Sequence, residues 1–154
     1  ARVALDEWNH RFWVGYTRST PQHMYSPRVV QVSTDGLEEF SYQWKERGVF
    51  FDGCIQKDGS FLVARDIPSS GYTVPVYSFL ERIMQGVQPS TLLNLNTNLL
   101  VDSLACQQNS VYLGVHSILG GEPHQVLYWN GDLKTDSVPL ISVAPRIQKI
   151  LTCD

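Results

Sequence analysis

Four histidines, His10, His23, His116 and His124, are the side chains best suited to proton transfer near neutral pH or to holding a metal ion. Their spacing writes neither chemistry. Histidines that ligate from one helix face recur four residues apart, as in H-E-x-x-H, and no such pattern occurs. His116 and His124 instead flank the loop Gly120-Gly121-Glu122-Pro123. Cys54, Cys106 and Cys153 form no C-x-x-C pair and are too few for a disulfide framework, and their odd number leaves at least one thiol free. Cys54 falls inside an apolar strand pattern and reads as a small buried hydrophobe. There is no G-x-S-x-G elbow, no phosphate-binding glycine loop and no nucleophile signature around a cysteine. Asp and Glu stand mostly at turns and strand ends, which does not converge two carboxylates for glycoside chemistry. The sequence therefore predicts no catalytic residues, no metal and no cofactor.

What the chain does offer is aromatic surface beside polar groups: Trp8, Trp13, Tyr16, Tyr42, Trp44, Tyr112, Tyr128 and Trp129. Tyr and Trp present flat apolar faces with a polar handle, which suits stacking on sugar rings and protein contact. Most must be core. Trp129 is the expected exception, because it abuts Asn130-Gly131 and lies opposite Asp132 in the expected hairpin. The candidate receptor-binding set is His116, His124, Trp129, Asn130 and Asp132, gathered around the late hairpin connections.

Composition narrows the partners. A net charge of −3 and scattered basic residues lack the electrostatic footprint of a nucleic-acid binder. No apolar run approaches the ~18 residues of a membrane span, so no membrane insertion is expected of this chain. At 154 residues, with 43% hydrophobic and 18% charged, it predicts a single compact domain over 1–154. Because it begins Ala-Arg-Val, that domain is expected to come from a longer chain.

The elements that would position the candidates are mainly strands. Arg11–Thr17, Arg28–Ser33, the alternation Phe40-Tyr42-Trp44, Ser110–Ile118, His124–Trp129 and Val138–Val143 all carry strand patterns. Asp58-Gly59 predicts a two-residue type I′ hairpin that sets Cys54 opposite Val63 and Asp52 opposite Arg65, with both faces of the hairpin covered. Asn130-Gly131 predicts another, with Tyr128 opposite Leu133 and Val126 opposite Thr135. Val76, Phe79, Leu80, Ile83, Met84 and Val87 fall at helical spacing, start near Pro75 and stop at Gly86, predicting an amphipathic helix over 75–86. Leu92 to Cys106 fits a helix or a strand equally well. The expected fold is mainly β (α+β): a twisted antiparallel sheet of five or more strands packed on that helix, with a galectin-like two-sheet sandwich as the alternative.

The stretch Tyr112 to Asp136, YLGVHSILGGEPHQVLYWNGDLKTD, resembles the late strands of the rotavirus spike head, the N-terminal fragment that trypsin releases from the outer-capsid spike protein. Gly114, Gly120, Gly121, Tyr128, Trp129, Gly131, Asp132 and Cys153 fall in a similar order. The better-known heads are galectin-like sandwiches, so the expected helix marks a departure and implies a divergent, non-A group with a rearranged fold. The resemblance implies a virus spike head on the virion surface, attaching to host cells through a glycan or protein receptor and joined to the remainder of the spike protein. Two other classes stand beside it: a small hydrolase whose site is assembled in space, and a structural interaction domain.

Overall fold

A computed structural model describes residues 1–19, 25–70, 73–95, 98–108, 110–120, 124–130 and 138–143. Twelve strands run in chain order: β1 (Arg2–Asp6), β2 (Arg11–Arg18), β3 (Ser26–Ser33), β4 (Glu38–Gln43), β5 (Phe50–Ile55), β6 (Phe61–Ser70), β7 (Thr73–Met84), β8 (Val87–Asn94), β9 (Leu99–Gln107), β10 (Ser110–Ser117), β11 (His124–Trp129) and β12 (Val138–Val143). They form three separate four-stranded antiparallel sheets, β1 to β4, β5 to β8 and β9 to β12, each a meander in which chain neighbours pair. This is the form of a β-propeller blade.

The blades stack face to face through two cores. Trp13, Val29, Trp44, Phe50, Phe61, Val63 and Ile83 fill the space between the first and second sheets. Leu62, Ala64, Leu80, Leu93, Leu104, Val111, Leu113, Leu127 and Trp129 are among those that fill the space between the second and third. Odd residues of β6 thus face one neighbour and even residues the other, as a middle blade requires. The first strands of the three blades lie against one another on the inner side. Arg2 Nε of β1 stands 3.4 Å from Asp52 Oδ1 of β5. Asp52 Oδ2 accepts a hydrogen bond from the Leu104 N–H of β9 at 2.8 Å. Two residues further along both strands, Cys54 and Cys106 form a disulfide. Because 52 meets 104 and 54 meets 106, β5 and β9 run parallel.

The fold is mainly β as expected, but the helix over 75–86 is not there: residues 75–84 belong to β7, paired with β6 on one side and β8 on the other, and 85–86 turn into β8. A strand covered on both faces carries adjacent apolar pairs, here Phe79-Leu80 and Ile83-Met84, and such pairs mimic a helical stripe. Gly86, read as a helix stop, has φ of 74° and serves the turn between β7 and β8. Neither a five-stranded sheet on a helix nor a two-sheet sandwich describes three stacked blades.

The hairpin at Asp58-Gly59 exists with its register shifted by one residue. Gly59 N–H donates to Gln56 O and Gln56 N–H to Ser60 O, and only Gly59 has positive φ, which makes a three-residue loop with a glycine bulge. Cys54 therefore faces Leu62, and Asp52 faces Ala64 rather than Arg65. The slip inverts the faces. Asp52 turns to β1 and β9, while Arg65 turns to the first sheet and finds Glu81. The Cys54–Cys106 disulfide likewise corrects the reading of Cys54 as a lone hydrophobe, and Cys153 lies outside the described residues.

Candidate functional site

The β10–β11 pairing sets Val111 opposite Trp129 and Val115 opposite Gln125. Continued by one residue, that register places His116 across from His124. The antiparallel pairing of β10 with β11 thus converts an eight-residue separation into a cross-strand pair. The two imidazoles lie with centroids 5.1 Å apart and planes tilted by 30°.

The third member comes from β9. Val101 pairs with Val115 and Ser103 with Gly114, so Asp102 is an extra residue in a β-bulge, which re-aims its side chain. His116 Nδ1 lies 2.9 Å and His124 Nδ1 3.1 Å from the same oxygen, Asp102 Oδ2. The Asp102 side chain is 3% exposed, against 28% for His116 and 22% for His124. A buried carboxylate needs partners, and the two imidazole Nδ1 atoms within hydrogen-bond distance of one oxygen provide them in the tautomer that carries its proton on Nδ1. All three ligand-type atoms lie within 4.8 Å of one another.

This cluster occupies the end of the third blade where β9 begins, since β10 ends and β11 starts beside it. Of the five sequence candidates, the structure brings His116 and His124 together there. Trp129 and Asn130 sit at the opposite end of β11, about 17 Å away at the rise of an extended strand. Trp129 is not exposed: at 2% accessibility it belongs to the core between the second and third blades. β11 pairs with Val138–Val143, Tyr128 facing Val138 and Val126 facing Ile141 in place of the expected Leu133 and Thr135. Asn130 is exposed, whereas Asp132, Gly131 and the proposed return strand through Thr135 lie outside the described residues, as does His23. His10 stands apart in the turn after β1, with φ of 51°. Sequence reasoning missed Asp102 altogether.

No protein-family model matches the chain, and no curated protein matches it. Among solved structures it is similar to the Hadza microbial sialidase Hz136, with a TM-score of 0.65 and 12% sequence identity over 92% of this chain. The match spans 33% of that structure, so the chain accounts for about a third of its length. At this identity the likeness is one of fold: three consecutive blades arranged as part of a larger β protein are arranged.

Proposed function

We propose that this chain is part of a surface-exposed recognition head, of the kind a virus spike presents from its outer capsid, which attaches to host cells by weak multivalent binding to a cell-surface glycan. The observation that carries the reading is the fold likeness to a protein whose name denotes action on sialic acid. Two features support it. The Cys54–Cys106 disulfide suits an oxidising, extracellular setting such as a virion surface. Val3 and Leu5 stand 61% and 48% exposed on β1, an apolar face suited to the remainder of a spike protein. Neither nucleic acid nor membrane is a partner in this reading.

The binding face is the end of the blades bearing His116 and His124, where a sugar would meet imidazole edges. Trp129 is withdrawn from the contact set by its burial. A single site of ~1 mM affinity, about 4 kcal/mol, suffices when many copies act together. The chain should be displayed multivalently on particles and compared, on glycan arrays and on cells with and without surface sialic acid, with a His116→Ala/His124→Ala variant and with Asn130→Ala. Binding retained by Asn130→Ala and lost by the histidine variant is the expected result. Equal binding by all three moves the site elsewhere, and binding by none removes attachment as an activity of this chain. The same likeness favours a second reading, hydrolysis, and release of free sialic acid from the arrays would put turnover in place of attachment.

A further inference from the structure

We infer that Asp102, His116 and His124 form a binding site for a divalent transition-metal ion, zinc first, held by Asp102 Oδ2 and the two Nδ1 atoms. The inference stands on geometry alone and does not depend on the receptor reading. In a tetrahedral zinc site with bonds of about 2.0–2.1 Å, neighbouring ligand atoms are about 3.3 Å apart. The Nδ1 atoms lie 2.9 and 3.1 Å from Oδ2, so an increase of a few tenths of an ångström makes room for the ion. All three atoms already fall within 4.8 Å of one another, so the donors converge on one point.

The donor set selects the metal. Two imidazoles with one carboxylate suit zinc, copper or nickel, whereas calcium and magnesium prefer oxygen shells of six or more. The backbone is built to hold it. His116 and His124 are fixed by the β10–β11 ladder, and Asp102 is delivered by the bulge in β9. Three protein ligands leave a fourth position for water or an incoming group, and the partly exposed imidazoles put that position within reach of solvent.

Binding requires each ring in the tautomer whose Nδ1 carries a lone pair and whose Nε2 carries the proton. A ring that donates Nδ1–H to Asp102 before binding must pass that proton through water to its own Nε2. No electron is transferred, and charge balances as one divalent cation is taken up.

The test is calorimetric titration of the full chain, in a Cys153→Ser background so that the thiol does not compete, with zinc and in parallel with calcium and magnesium. One zinc per chain is expected, with no response to the other two ions. His116→Ala and His124→Ala should each weaken zinc binding by about 100-fold or more, since the loss of a mere outer-shell partner already costs 10–100-fold. His10→Ala should change nothing. Histidine NMR of the unsubstituted rings gives an independent readout, because zinc should move exactly two rings from the Nδ1–H to the Nε2–H form. Zinc binding unchanged in the His116 and His124 variants, or a wild type whose ring tautomers ignore zinc, overturns the assignment.

Discussion

The two interfaces between the three blades are built from different materials. Between the second and third, the contact is largely aliphatic, Leu62, Leu80, Leu93, Leu104, Leu113 and Leu127 meeting with few aromatic partners. Between the first and second, rings dominate. Trp13 stacks on Phe61 at 5.3 Å and Tyr42 meets Trp44 edge-on at 5.1 Å. Within the same region the buried Arg65 guanidinium lies 5.2 Å from the Trp44 ring centre and pairs with Glu81 through both carboxylate oxygens. Aliphatic burial is nearly non-directional and sets the contact without fixing individual groups. The second and third blades compensate with two fixed points on their inner strands, the Asp52–Leu104 hydrogen bond and the disulfide. The ring-rich interface carries its directionality in side-chain geometry.

The largest effect should come from the covalent clamp. A disulfide closing a separation of 52 residues contributes about 4 kcal/mol in the chain-entropy account. Urea unfolding of a Cys54→Ser/Cys106→Ser variant should show a loss near that size. A loss under ~1 kcal/mol would mean that the aliphatic core alone locks these blades.

Next comes the ion pair. Glu81→Ala leaves Arg65 buried without its carboxylate and should cost about 3 kcal/mol, the lower end for a broken buried pair because Trp44 and Phe79 still hold the guanidinium. Replacing both partners, Arg65→Met with Glu81→Leu, should cost far less, since Arg65 Nη1 has no hydrogen-bond partner among the described residues. A double variant as unstable as the single one would show that the pair stabilises the ring-rich interface outright.

The smallest effect is a pH dependence. Burial pushes the Asp66 carboxyl above its ordinary 3.8, while the Val49 N–H and Arg65 pull it down. A group raised on folding binds more protons in the native state than in the unfolded one. Its contribution is complete below 3.8 and lost as pH rises through the raised value. Asp66→Asn lacks that titration, so its stability relative to wild type should rise from about pH 3.8 upward and then level off. A difference that is flat across acid pH would contradict the assignment.

How much of this was legible before coordinates depends on which forces set each element. β2, β3, β4, β10, β11 and β12 were readable because one-sided burial or β-branched content marks them locally. β7 was not, since burial on both faces erases the two-residue period and Phe79-Leu80 and Ile83-Met84 then fall at helical spacing. The register at Gly59 turned on whether Asp58 also adopts positive φ, which an Asp-Gly pair leaves undecided. The Gly-Gly loop between them implied that His116 and His124 share one hairpin, and β10 does pair with β11, yet their shared partner was invisible. Asp102 reaches them only through a bulge, and bulges follow from long-range pairing. Cys54 and Cys106 meet for the same reason, because their strands belong to different sheets.

The parallel pairing of β5 with β9 has a consequence for chain length. The disulfide ties off the segment between Cys54 and Cys106, which includes β6, β7 and β8 entire. Pulled from its ends, the protein can pay out only the chain outside this loop. At about 3.5 Å per extended residue, some 180 Å of contour stays hidden until the sulfurs are reduced. Under tension applied at its ends, the chain would thereby keep β6, β7 and β8 beyond the reach of loads that unravel the strands outside the loop.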